Sequence, residues 1–518
     1  MARSTRTTRN RWLAGGGSVL AAVAVLAATA APAQAAPAPR GTVQVSVGVN
    51  GTAPDDQSWG QGVSADGHYA LFTSWAKNLV SQPAKSGRDA YVRDLRTGRT
   101  ERVNLADDGS ALDGFTDYVA INADGRYVAF ASDAQNVLPG MQLQGRSEVY
   151  VRDRRTGRTE LVSGGLTSTD GDRFHASYAP SISANGRYVA FVSSRTDLVP
   201  EPGGGDPSLA RPYTWDYNVY VTDRWTGRTR LVTLGTDGKP GDGMSLNPTI
   251  SADGRTVGFT SFAGNLLPAG QTPALAAPAA ASAAAGGAAD VEPAPGTAPA
   301  LPRGAREGVA RPNLARPTTG AYYTYDVASG RISAASLDQD GKLGFASFDA
   351  TISPDGRRAV YALPEPGGST NGHRYHLVLY VRDLRTGTVT KVSGGLPGTS
   401  SVGTSDHGRI TADNRWVYFS SAADNLVAGP QHAGWDVYRH DLRTGRTERV
   451  STAPDGSLGN GSSVDPFVDA DGDTVVFGST SGNLTAGAGG PVSTGYQVFA
   501  RTAGQHGDGD DQGQDEDD

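Results

Sequence analysis

Cysteine is absent from this chain, and that single absence removes several kinds of chemistry. No disulfide framework, thiolate zinc site, catalytic thiol or Cys-linked lipid anchor is available. Hydrophobic residues are sparse for a globular enzyme, at 37% of the sequence. Basic charge is in deficit, with a formal net charge of −7. A nucleic-acid partner is therefore not expected, since no basic excess is present to meet a phosphate backbone. The chain past its first 35 residues also lacks a Gly-x-Ser-x-Gly nucleophile elbow and a Gly-Lys-Ser/Thr phosphate loop. What is plentiful is glycine, at 69 residues. Many short strands joined by glycine-rich turns fit this balance and point to an all-β repeat fold.

The organising phrase is Ser181-Ile-Ser-Ala-Asn-Gly-Arg-Tyr-Val-Ala-Phe-Val-Ser193. It reads as a strand, a tight turn on Asn185-Gly186 and a second strand, because both turn residues tolerate the positive φ of a short hairpin. Related phrases begin at Val63, Ile121, Ile250, Ile352, Ile410 and Val468, which makes seven copies. Their starts are separated by 58, 61, 68, 102, 58 and 58 residues, so the period holds apart from one insertion. A fixed period outweighs chain length as a guide to architecture.

Residues 1–35 read as a secretory signal peptide. Arg3, Arg6, Arg9 and Arg11 precede an apolar stretch from Trp12 to Ala30, and Ala33-Gln34-Ala35 is a small-x-small cleavage site. Arg9-Asn10-Arg11 is not a twin-arginine pair, so ordinary secretion is expected. The mature chain would be secreted or held in the cell envelope, with no membrane span and a formal charge of −11. Residues 36–41 form a Pro/Ala linker and residues 502–518 an acidic tail, with seven acidic groups from Gly507 to Asp518. Disorder is the expectation for the tail and for the Ala/Pro-rich insertion at 271–316, since neither buries enough to offset its ordering entropy.

Within a repeat four strands follow one another. In the third copy, strand a is Pro180 to Ala184 and strand b is Arg187 to Ser193. Strand c is Asn218 to Asp223, and strand d is Arg228 to Thr233. The seventh copy stops after its third strand, Gln497 to Phe499, while a spare strand, Thr42 to Gly48, precedes the first copy. An unpaired outer position would expose a row of backbone donors and acceptors. The spare strand is therefore expected to complete the last blade. The fold expected over residues 42–501 is a seven-bladed β-propeller of four-stranded antiparallel blades, closed by its N-terminal strand. The aromatic of strand b (Phe72, Phe130, Phe191, Phe259, Tyr361, Phe419, Phe477) is expected in the core.

Ile-Ser-Ala-Asp-Gly-Arg-x-Val-x-Phe followed by Val-Tyr-Val-Arg-Asp-Leu-x-Thr-Gly resembles the Asp-Gly, WD-like propeller repeats of the TolB type, across residues 42 to 501. The resemblance implies the propeller fold. Relatives of that architecture include binding proteins of the cell envelope, gating propellers of prolyl-oligopeptidase-like enzymes and a few polysaccharide lyases. TolB itself has six blades and an additional N-terminal domain, neither of which is visible here.

The a–b and c–d connections are short, so they share one face of the ring and leave the long b–c and d–a loops on the other. Binding is expected on that long-loop face. Its aromatic and basic residues are Trp75, Arg173, Phe174, His175, Arg211, Tyr213, Trp215, Tyr217, His373, Tyr375, His376 and Trp435. His373-Arg-Tyr-His376 lacks an adjoining acidic ligand, and Asp469-Ala-Asp-Gly-Asp473 aligns with the hairpin turns, so neither is read as a metal site. The expectation is a monomeric, non-enzymatic protein without cofactor or metal that binds a protein, peptide or cell-wall glycan. The alternatives are a metal-assisted propeller lyase or glycan hydrolase, and an envelope translocation accessory factor.

Overall fold

The computed structural model describes residues 41–82, 87–141, 146–164, 176–195, 197–200, 217–270, 320–346, 349–366, 375–431, 434–486 and 495–502. The leader, the linker before Gly41, the 271–316 insertion and the tail beyond Thr502 lie outside them. Among the described residues, twenty-eight strands form seven antiparallel sheets of four, each sheet one repeat. The protein is an all-β, seven-bladed propeller.

Local chemistry makes each hairpin. In blade 3 the Tyr188 N–H donates to Ser183 Oγ at 2.9 Å, and Ser183 Oγ donates to Asn185 Oδ1 at 3.0 Å. That same oxygen accepts the Arg187 N–H at 3.0 Å, so two polar side chains satisfy the turn without help from the ladder. Gly186 is needed twice over: its φ is +72°, and a Cβ there would run into the Tyr127 ring of the preceding blade.

The strands of blade 3 are Ser177–Ile182, Tyr188–Ser193, Asn218–Asp223 and Arg228–Leu231. Its innermost strand starts three residues before the expected Pro180. The reason is a register shift between Tyr178 and Ser181, a β-bulge that lets proline sit inside a strand without a ladder donor.

Packing repeats from blade to blade. The strand-b aromatic is fully buried in every copy and stacks on the strand-c aromatic beside it. Phe72 pairs with Tyr91, Phe191 with Tyr220 and Phe477 with Phe499, at 5.5, 5.9 and 6.2 Å between ring centroids. Both faces of strand b are covered, as a sheet between two neighbours requires.

Two devices close the ring. Gly41–Gln44 adds to the last sheet antiparallel to Gln497–Thr502, with Gly41 opposite Thr502 and Gln44 opposite Phe499. The adjoining Val45 N–H donates to the Val498 carbonyl at 2.7 Å, and Ser46 Oγ donates to Gln497 Oε1 at 2.8 Å. The regular strand is shorter than the expected Thr42 to Gly48, because the Val45 carbonyl is taken by the Val47 N–H at 3.0 Å. Its partner runs on to Thr502, past the expected Phe499.

The second device is a belt of hydrogen bonds between neighbouring hairpin turns. The N–H of Ala65 donates to Ala123, Ala123 to Ala184, Ala184 to Ala252 and Ala252 to Pro354, each through the carbonyl; Ala412 donates to Ala470 and Ala470 back to Ala65. One joint is missing, between blades 5 and 6, because Pro354 has no N–H to give. Side chains bridge it instead: Arg358 Nη1 donates to the Asn414 carbonyl at 3.0 Å, and Asn414 Nδ2 to Asp355 Oδ2 at 2.8 Å.

Candidate functional site

The innermost strands leave the long-loop face and run toward the hairpin face, so their first residues surround the channel mouth. In five blades the third residue of this strand takes a left-handed backbone: Tyr118, Ala179, Asn247, His407 and Asp465, with φ from 48° to 56°. The cost is of order 1–3 kcal/mol for each such non-glycine residue. Bulges of this kind re-aim side chains, often beside functional sites.

On the side of blades 5 to 7 the re-aimed residues meet. His407 Nε2 lies 3.1 Å from Asp465 Oδ1 and 3.4 Å from Asp349 Oδ2. Asp406 joins them, so that donor atoms of Asp349, Asp406 and His407 all lie within 4.8 Å of one another. Burial pulls the His407 imidazole down, but Asp349, Asp465 and Asp406 outweigh it and raise the group to about 9. Burial also pushes the Asp465 carboxyl up, against the lowering effect of His407. Arg409, the nearby guanidinium, is turned aside: its Nη1 donates to the Gly408 carbonyl at 2.9 Å and its plane covers Phe467 at 5.1 Å.

The mouth is aromatic on the side of blades 2 and 3. Tyr118 and Tyr178 are 5.6 Å apart, and Tyr178 meets Tyr217 edge-on at 5.1 Å. Burial pushes the Tyr118 and Tyr217 hydroxyls up to about 12, so this arc is neutral. The channel mouth thus joins a carboxylate-rich sector to an uncharged aromatic one.

The residues expected on the long-loop face divide into three groups. Tyr217, His376 and Trp435 are buried, Tyr217 within the aromatic arc and Trp435 packed with Val464. Trp75 and Tyr375 are half-buried. Arg173, Phe174, His175, Arg211, Tyr213, Trp215 and His373 lie outside the described residues. None of the described ones belongs to the His407 cluster. A signal for that cluster does exist in the sequence: Asp349, His407 and Asp465 are successively 58 residues apart, one period of the repeat.

Asp469 in the last hairpin is a turn residue, as expected. It stands where Ser64, Ser183, Ser251 and Ser353 stand in other blades and accepts the Gly472 and Thr474 N–H groups at 3.0 and 2.9 Å. Burial raises its carboxyl from 3.8 to about 7. Folding therefore favours the protonated form, a contribution fully present below pH 3.8 and lost as pH rises through about 7. Asp469→Ser is expected to gain up to about 4 kcal/mol at pH 8 and almost nothing at pH 4. Denaturant unfolding at the two pH values checks this, and an equal effect at both refutes it.

No protein-family model matches the chain, and no curated protein matches it. Among solved structures it is similar to an oligogalacturonate lyase in complex with manganese, at 12% identity and a TM-score of 0.46, over 91% of this chain and 95% of that one. It is also similar to TolB from Acinetobacter baumannii, at 14% identity and a TM-score of 0.33, over 85% and 81%. A third is the β-propeller domain of the Trilobed protease from Pyrococcus furiosus, at 12% identity and a TM-score of 0.42, over 83% and 91%. None of these likenesses assigns a ligand or an activity to this chain.

Proposed function

We propose that this chain is an exported, non-enzymatic binding propeller that recognises a protein, peptide or cell-wall glycan on its long-loop face, around a divalent cation at the channel mouth. The observation that supports the reading is the convergence of Asp349, Asp406 and His407 from two adjacent blades. Two donors as much as 4.8 Å apart can both reach an ion midway, at about 2.4 Å each, within the usual range for oxygen ligands. Two carboxylates with one imidazole suit manganese, magnesium or zinc better than a soft metal. An ion held by three side chains keeps positions for an outside ligand, and an anionic group of that ligand would take them.

Calorimetric titration of the chelator-treated full chain with manganese and with calcium tests the site. One ion per chain is expected, with affinity lost by more than an order of magnitude in Asp406→Asn and in His407→Ala. Uptake should release protons and strengthen as pH rises, because the imidazole must be neutral to bind. No saturable uptake, or uptake indifferent to both substitutions, would remove the cation from the scheme. The enzymatic alternative, cation-assisted cleavage of a saccharide, draws on the same cluster, since a bound cation polarises an acidic substrate. Release of an ultraviolet-absorbing unsaturated product or new reducing ends by the metal-loaded protein would favour it over binding alone.

A further inference from the structure

On the hairpin face, away from the channel mouth, blades 3 and 4 enclose a cleft of about 380 Å³. Four arginines line it, Arg187, Arg228, Arg230 and Arg255, against the two carboxylates Asp223 and Asp253. Two of the four are engaged. Arg187 forms a fork with Asp223 at 2.9 and 2.6 Å, and Arg230 Nη1 donates to the Val327 carbonyl at 2.7 Å. The other two are exposed, and among the described residues only one of them has a carboxylate within ion-pair distance. Arg255 lies 3.6 Å from Asp253 with its side chain 80% exposed, and Arg228 is exposed without a carboxylate partner among the described residues. A local excess of positive charge thus sits on a chain whose net charge is −7.

Trp225 adjoins this cleft, next in sequence to its lining residue Thr226 and in contact with its lining residue Arg187. It occupies the turn position held by Arg96, Arg155, Arg385 and Arg443 in other blades, and it is 67% exposed. The Arg187 guanidinium packs over the indole at 4.7 Å and fixes its plane. Leaving so much tryptophan in water is costly for a residue that normally supplies buried apolar area. An exposed aromatic plane near two solvent-exposed guanidinium groups combines a flat apolar platform with hydrogen-bond donors for an anion.

We propose that this cleft binds a short acidic saccharide, with a sugar ring on the free indole surface and its carboxylate between Arg228 and Arg255. The volume lies within the range of about 300–1,000 Å³ usual for small-ligand sites. The planar guanidinium fork matches a carboxylate in two-point contact, and aromatic rings present an apolar face with modest ordering cost. The site is separate from the channel cluster and does not depend on the cation proposed there.

Calorimetry with an alginate oligomer, a neutral mannan oligomer of equal length and inorganic phosphate tests the proposal. The acidic oligomer should bind the intact full chain and the neutral one should not. Binding should fall at least tenfold in Trp225→Ala and in Arg228→Ala/Arg255→Ala, and remain in His407→Ala. Trp225→Ala changes an exposed side chain, so an unchanged melting temperature separates lost binding from lost folding. No uptake of the acidic oligomer, uptake indifferent to Trp225, or uptake lost with His407 overturns the assignment. So does inorganic phosphate that displaces the oligomer at equal concentration, since it would mark simple charge adsorption.

Discussion

A protein lacking residues 41–48 should be less stable by about 6 kcal/mol, the sum of one buried valine at about 2 kcal/mol and four or so edge hydrogen bonds at about 1 kcal/mol each. Val45 is fully buried and packs with Val498 and Ala500 in the core cluster that joins blade 7 to blade 1. Removing the segment uncovers that cluster and leaves the Gln497–Thr502 strand as an open edge, ready to pair with another molecule. The loss is expected to spread, because each blade buries itself only against its neighbours. Calorimetric melting and sedimentation of the truncated protein check both effects. A synthetic peptide spanning residues 41–48, added in excess, should restore part of the stability by mass action. Unchanged melting after deletion would mean that the closing strand contributes nothing to the ring.

The next largest effect is expected at Arg195. Its guanidinium is buried, with Nη1 2.6 Å from Glu148 Oε1 and Nη2 2.8 Å from Asp197 Oδ2. Glu148 begins strand c of blade 2, whereas Arg195 follows strand b of blade 3, so the triad crosses a blade boundary. Burial alone would lower the guanidinium pKa, but Asp197 and Glu148 outweigh it and hold the group charged. Arg195→Met fills the space yet strands two buried carboxylates, at a cost of about 5 kcal/mol. Combining it with Glu148→Gln and Asp197→Asn should recover most of the loss. A single substitution no worse than about 1 kcal/mol at pH 7 would show that the triad relaxes freely into solvent.

The blades were legible because their information is local. Asp-Gly and Thr-Gly turns, and an aromatic at a fixed step after each, need no knowledge of distant contacts. Ring closure could be read because strands can be counted, and the spare one has an obvious vacancy to fill. The inner strand begins before Pro180 because a bulge admits the proline, as it does Pro248 and Pro466 at the same position in blades 4 and 7. The His407 cluster escaped for a different reason. Its members come from three successive repeats, with only Asp406 and His407 neighbours in sequence, whereas His373 and His376 lie within four residues of one another. Reading the repeats as columns rather than rows puts Asp349, His407 and Asp465 in one line.

Pro354 has a further implication. The contact between blades 5 and 6 is the one joint of the belt held by side chains alone, through Arg358, Asn414 and Asp355. Asp349 lies on one side of it and Asp406 and His407 on the other. An ion gripped by all three would act as a rivet across that joint, so filling the hub would tighten the whole wheel.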